Sequence, residues 1–120
     1  MTETYPVFYA VVFVIVAFFL YKHLFLIEIC GDSMYPTLKD GEYYLGVRIY
    51  NKRDLDVGKI YIVKRPDEGI CVVKRVNDQN YNGNYVWLLG DNLRVSKDSR
   101  DYGWVPSNLV IAKLKWRLLK

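Results

Sequence analysis

The stretch Gly69-Ile70-Cys71-Val72-Val73-Lys74-Arg75-Val76 decides how this chain is read. Its Ile and Val side chains lose rotamer freedom in a helix and suit a pleated surface, so the run is expected to be a strand. It is closed by Asn77 to Asn84 (NDQNYNGN), where Asn82-Gly83 is a strong hairpin signal. The same pattern continues outward. Tyr43 to Tyr50 (YYLGVRIY), Lys59 to Lys64 (KIYIVK) and Tyr85 to Leu89 (YVWLL) are further β-type runs. Lys39-Asp40-Gly41, Asp56-Val57-Gly58 and Pro66-Asp67-Glu68-Gly69 supply the turns between them. From Leu109 to Lys120 the alternation is imperfect, with Leu114, Trp116 and Leu118 opposite Lys113, Lys115 and Arg117. That end is expected to be a strand with one apolar face, either resting on lipid headgroups or forming an edge strand with a lysine-rich outer side. The expected fold class is mainly β: a compact antiparallel β-sheet over residues 28–120.

Upstream the composition changes. Tyr5 to Tyr21 (YPVFYAVVFVIVAFFLY) is 17 residues without a charge, and all five Phe lie within residues 1–25. As a helix this run spans roughly 25 Å, near the lower limit for crossing a hydrocarbon core. Leu24 to Ile27 extend it if Lys22 snorkels to the headgroups. Tyr5, Tyr9 and Tyr21 stand near the two ends, where amphipathic rings seek the interface. A cleavable leader wants a basic start and a small-x-small cleavage site, and neither is found in residues 1–4 or Phe18 to His23. Residues 1–4 are therefore read as a tail and residues 5–27 as a transmembrane anchor with its juxtamembrane segment. Lys22 after the span weakly favours a body on the cytoplasmic side.

The chain has 120 residues and a net charge of +4, with 52% hydrophobic and 25% charged residues. These values exclude a disordered chain and leave no room for a separate effector module. Residues 22–120 hold all 17 basic residues, but 12 of the 13 acidic ones are interspersed among them. No basic helix stands out, so no nucleic-acid partner is expected. Cys30, Cys71 and the single His23 are too few for a metal set, so neither a metal nor another cofactor is expected.

The same scarcity shapes the chemistry. Without a histidine in the body, a hydroxyl nucleophile needs another base, and lysine is the usual substitute. In water a lysine with pKa about 10.4 is rarely neutral at pH 7, but burial lowers that value by up to ~3–5 units. Lys74 sits in an apolar strand, although alternation alone favours a solvated face for it. Ser33 lies in Gly31-Asp32-Ser33-Met34-Tyr35-Pro36-Thr37-Leu38, where Gly31 permits a bend and Pro36 directs the exit. Spacing alone favours a Ser that merely caps a turn.

Four segments in order carry a family resemblance. Gly31 to Leu38 (GDSMYPTL) resembles the nucleophile box of type I signal peptidases (signal peptidase I, the S26 family), and Val73-Lys74-Arg75-Val76 resembles their lysine box. Gly90 to Pro106 (GDNLRVSKDSRDYGWVP) is similar to their C-terminal box. Gly58 to Val63 (GKIYIV) resembles the strand box between them, with Lys59 in place of the usual Asp.

The resemblance implies a membrane-bound serine endopeptidase that removes N-terminal signal peptides from translocated preproteins with a Ser-Lys dyad. By matching position, Ser33 is the nucleophile and Lys74 the general base. Ser96 matches the hydroxyl that orients the lysine, and Asp98 and Arg100 match a supporting ion pair. Ser33 and its neighbours Gly31, Met34 and Pro36 form the substrate-binding and oxyanion segment. Gly31 occupies the place where some members carry a second oxyanion hydroxyl. Implied partners are secretory preproteins, bound as an extended strand, and the lipid bilayer. The implied location is the cell membrane, single-pass, with the catalytic domain on the extracytoplasmic side, against the charge count at Lys22. Small residues at −1 and −3 of the substrate would be selected by shallow apolar pockets.

Only 15 residues separate Lys74 from Gly90, so the inserted second domain of the large bacterial enzymes is absent and the chain resembles the short Gram-positive-like form. Asp98-Ser99-Arg100 followed by Tyr102-Gly103 resembles bacterial members more than mitochondrial ones. A mitochondrial inner-membrane-type peptidase and a non-catalytic membrane-anchored β module that binds a protein partner stay open. A self-cleaving repressor-like peptidase, which also uses Ser-Lys, would call for a DNA-binding module and a cleavable linker. Cys30 and Cys71 each precede a dyad residue by three positions, which leaves a disulfide between them open.

Overall fold

Helix α1 runs from Thr4 to His23, and its apolar residues face outward all round: Phe13 is 73% and Tyr21 83% exposed. None of its apolar span is buried against the described body. Tyr5–His23 is long and apolar enough to cross a membrane, with mean hydropathy 1.9. A β-branched helix of this kind suits lipid, where the backbone must bond to itself. The structure, a computed structural model, describes residues 4–119.

The helix stops at His23 and the chain passes directly into strand β1, Leu24–Glu28. The sequence reading let this segment prolong the span. Pairing prevails because Phe25 and Ile27 pack against a core cluster while Leu26, between them, stays exposed. The period is that of a strand. After the Gly31–Leu38 segment come β2 (Tyr43–Arg48), β3 (Ile60–Lys64), β4 (Cys71–Asn80) and β5 (Tyr85–Leu89). A short helix α2 (Ser99–Tyr102), a two-residue strand β6 (Val105–Pro106), a 3-10 turn and β7 (Val110–Leu119) complete the chain. All seven strands form one antiparallel sheet in the order β1-β2-β7-β3-β4-β5-β6.

Alternation along β3 divides the core. Tyr61 and Val63 join Val76, Leu88 and Val110 in one cluster. Ile62 joins Ile29, Met34, Leu38, Val73 and Ala112 in the other, which takes in the Gly31–Leu38 segment. The expected mainly β fold is what the structure has, with two differences in detail. Strand β4 runs on to Asn80, through residues that read as loop. Its polar end is satisfied by Gln79, whose side chain accepts from the Leu55 N–H at 2.8 Å and donates to the Lys52 carbonyl at 2.8 Å. Strand β7 is not an edge: it lies between β2 and β3, so the edge reading of Leu109 to Lys120 is corrected. Only its far end, with Trp116 54% exposed, passes beyond the pairing with β3.

Candidate active site

Lys74 lies on β4, in register with Tyr61 of β3. Its neighbour Val76 is fully buried, and Lys74 itself is only 3% exposed. Alternation favoured a solvated lysine. The difference arises because the Gly90–Asp98 loop folds over this end of the strand, which strand periodicity cannot report. Lys74 Nζ donates to Ser96 Oγ at 3.0 Å, and Ser96 Oγ donates to Asp98 Oδ2 at 2.8 Å. Gly90 makes this approach possible: a Cβ there would lie 2.0 Å from Ser96 Oγ and 2.7 Å from the Ser33 carbonyl oxygen. No side chain fits.

Asp98 is fully buried and heavily bonded. It accepts from Gly90 N–H at 2.9 Å, from Ser96 and from the Arg100 guanidinium at 3.0 Å. It also caps α2, accepting from Arg100 N–H at 3.1 Å while Asp101 accepts from its own N–H. Burial pushes its carboxyl up, but the hydrogen bonds from Arg100, Gly90 and Ser96 outweigh that and hold it at about 2. Lys74 responds oppositely. Burial pushes its ammonium pKa below the ordinary lysine value; Asp98 resists the shift, and the Arg65 and Arg100 charges add to it.

Ser33 and Lys74 line one cleft of about 470 Å³, together with Met34, Val72, Val73 and Val95. No hydrogen bond joins Ser33 to Lys74; the lysine's partner is Ser96. The Ser33 carbonyl accepts from Asn92 N–H at 2.8 Å, which ties the Gly31–Leu38 segment to the loop that carries Ser96. Met34 is 2% exposed, and its sulfur accepts from Asp91 N–H at 3.4 Å. Gly31 and Pro36 stand outside the cleft lining. The Gly31 N–H, at a φ of 87°, is taken by Asp40 Oδ1 at 2.7 Å. Cys30 and Cys71 both line the cleft as free, exposed thiols, so no disulfide joins them. At the rim, Arg65 and Lys97 are held by Asp67, whose carboxyl lies well below the usual range because Arg65 bonds it.

One knot at the site escaped the sequence reading. Asp91 receives both Arg75 Nε at 2.8 Å and Nη2 at 2.6 Å, and Thr37 Oγ1 at 2.5 Å. It thereby joins β4, the Gly31–Leu38 segment and the Gly90–Asp98 loop. The Arg75 bond lowers its carboxyl pKa, and Arg75's own rises in return. The signal was present, since Asp91 lies inside the C-terminal box and Arg75 beside Lys74. Nothing in the spacing says that the two meet.

Comparison with known proteins bears on the same segments. A family model described as peptidase S24-like matches residues 11–101. The chain is 32% identical over 116 residues to mitochondrial inner membrane protease subunit 1 of Schizosaccharomyces pombe, covering 79% of this chain and 74% of that one. It is 28% identical over 120 residues to the protein of the same name from Saccharomyces cerevisiae, covering 72% of this chain and 63% of that one. The match to the family model takes in Ser33, Lys74, Ser96, Asp98 and Arg100, and on it the chain belongs to the peptidase S24-like family.

Proposed function

We propose that this member of a peptidase family is a membrane-anchored serine endopeptidase of the signal-peptidase type, with Ser33 as nucleophile and Lys74 as general base. The observation that carries the reading is the Lys74–Ser96–Asp98 chain of hydrogen bonds behind a buried Lys74 that lines one cleft with Ser33. Free Lys74 Nζ accepts the Ser33 hydroxyl proton as Oγ attacks the scissile carbonyl, then returns it to the leaving amine. The acyl ester on Ser33 is hydrolysed by a water that the same amine deprotonates. Such contacts are often long without substrate and tighten around it, so Ser33 and Lys74 can share a cleft without a bond between them. The Ser33 N–H holds the oxyanion. Gly31 N–H is committed to Asp40 and takes no part.

The sheet supports the substrate class. β1 is an edge strand, and β4 is paired to β5 only from Arg75 onward, so Cys71–Lys74 is open on that side. Residues from both open edges line the cleft. An extended peptide laid between them gains main-chain hydrogen bonds on two sides, with small side chains admitted and large ones excluded. The substrates are segments of membrane-targeted preproteins, and α1 holds the catalytic body, residues 28–120, at the bilayer surface on its extracytoplasmic side. The relatives' printed names favour the mitochondrial inner-membrane type over the bacterial cell membrane.

The test is cleavage of a preprotein by the full chain in detergent, with Ser33→Ala and Lys74→Ala measured separately. Loss of processing in both, with circular dichroism unchanged, is expected. Full processing in both overturns the peptidase reading and leaves a membrane-anchored binding module.

A further inference from the structure

A second cavity, of about 700 Å³, opens where α1 meets the sheet, away from Ser33 and Lys74. Its lining includes Tyr21, Lys22, Leu24, Leu26, Arg48 and Tyr50, two cations and no carboxylate. Neither Lys22 nor Arg48 has a carboxylate partner among the described residues. The cavity is held in shape. Arg48 Nε donates to the Lys22 carbonyl at 2.9 Å, satisfying an acceptor left open at the helix end, and Tyr50 Oη lies 2.8 Å from His23 Nδ1. The Arg48 guanidinium also stands over the Phe25 ring at 5.8 Å.

We infer that this cavity binds the phosphodiester headgroup of an anionic membrane lipid. Its charge suits a phosphate, and the exposed Tyr21 hydroxyl adds a donor. Leu24 and the 61% exposed Leu26 offer apolar surface where acyl chains begin. Its place decides the source: it adjoins the last turn of α1, where an anchored body meets the headgroup layer. The inference rests on the anchor reading of α1 but not on the peptidase chemistry. Phe25 lines both this cavity and the catalytic cleft, so a bound headgroup abuts β1, one of the cleft's open edges.

The test is native mass spectrometry of the full chain in neutral detergent with dioleoyl phosphatidylglycerol or dioleoyl phosphatidylcholine added. Retention of phosphatidylglycerol at least about 10-fold above phosphatidylcholine is expected. Lys22→Gln/Arg48→Gln is expected to lower that retention about 30-fold, the effect of about 2 kcal/mol for two cations at a charged surface. Lys22→Gln alone leaves the Arg48 bond to the helix end intact and should lower it about 5-fold. Lys64→Gln, at an exposed lysine elsewhere, leaves it unchanged. Equal retention of the two lipids, or unchanged retention in the double variant, overturns the inference. So does displacement by millimolar inorganic phosphate, which would make this a site for the free anion. Pelleting of the protein with alkali-washed membranes reads the anchor separately.

Discussion

Lys74 and Lys113 flank the same residue of the sheet: Tyr61 pairs with Lys74 on β4 to one side and with Lys113 on β7 to the other. Their chemistry diverges. Lys113 bonds the Asp56 carboxylate directly, and that bond raises its pKa. Lys74 also has a carboxylate in its surroundings, but Ser96 Oγ stands between it and Asp98, and Arg100 neutralises the aspartate from behind. Burial is then free to push Lys74 down. The two strand lysines thus shift in opposite directions, burial prevailing at Lys74 and a directly bonded carboxylate at Lys113.

The sharpest break in that comparison comes from removing each lysine. Lys74→Ala is expected to lower kcat by about 10³-fold or more, as loss of a dyad member does, with Ser33→Ala equivalent and the double variant no worse. Lys113→Ala should leave kcat in preprotein cleavage within about 2-fold, since its bond is a partly exposed ion pair. Thermal melts sharpen the contrast. Lys74→Met is expected to keep or raise Tm at neutral pH, because a desolvated amine is removed and Ser96 keeps its bond to Asp98.

Next in size is the spacer. Ser96→Ala should lower kcat about 10–100-fold with little change in KM, since the amine loses its orienting partner but substrate contacts remain. The rising limb of the pH–rate profile should move toward the ordinary lysine value, and Ser96→Thr should restore both. A purely structural role for Ser96 would lower Tm and leave the limb in place.

Asp98 sets a smaller, acid-sensitive effect. Its carboxyl falls from 3.8 to about 2 on folding. The stability this provides, about 2 kcal/mol, is present above pH 4 and is lost as pH falls toward 2. Asp98→Asn should remove that limb from urea-unfolding midpoints measured against pH. Lys74 has a slope of the same sign in a more alkaline range. Its folded pKa is depressed, so the unfolded chain binds more protons, and stability at this site grows as pH rises toward about 10.4. Smallest of all is Asp56→Asn, which should shift Tm only slightly and leave the pH–rate limb unmoved.

What was legible in the sequence followed local patterning. The strand runs and the Asn82-Gly83 hairpin are periodic or turn signals, and the turn carries positive φ at Tyr81, Asn82 and Gly83. The span was legible because 17 uncharged residues have no aqueous role outside a core. Strand β1 was hidden by the apolar run it continues, and the end of β4 by its Asn, Asp and Gln. Ser33, Lys74, Ser96, Asp98 and Arg100 were singled out only through resemblance; alternation and spacing by themselves favoured a solvated lysine and a capping serine. Burial of Lys74 depends on Gly90 letting Ser96 approach from another segment, and a one-dimensional pattern does not carry that contact. The Asp91–Arg75–Thr37 knot was missed for the same reason.

The proton affinity of Lys74 tests the central claim most directly. Selective carbon-13 labelling of lysine side chains in the full chain, with the Lys74 Cε signal assigned by its loss in Lys74→Met, allows its titration to be followed by NMR. A midpoint below the ordinary value of about 10.4, with Lys113 titrating above it in the same sample, is the expected result. A Lys74 midpoint at or above that of Lys113 would contradict the whole assignment of the base.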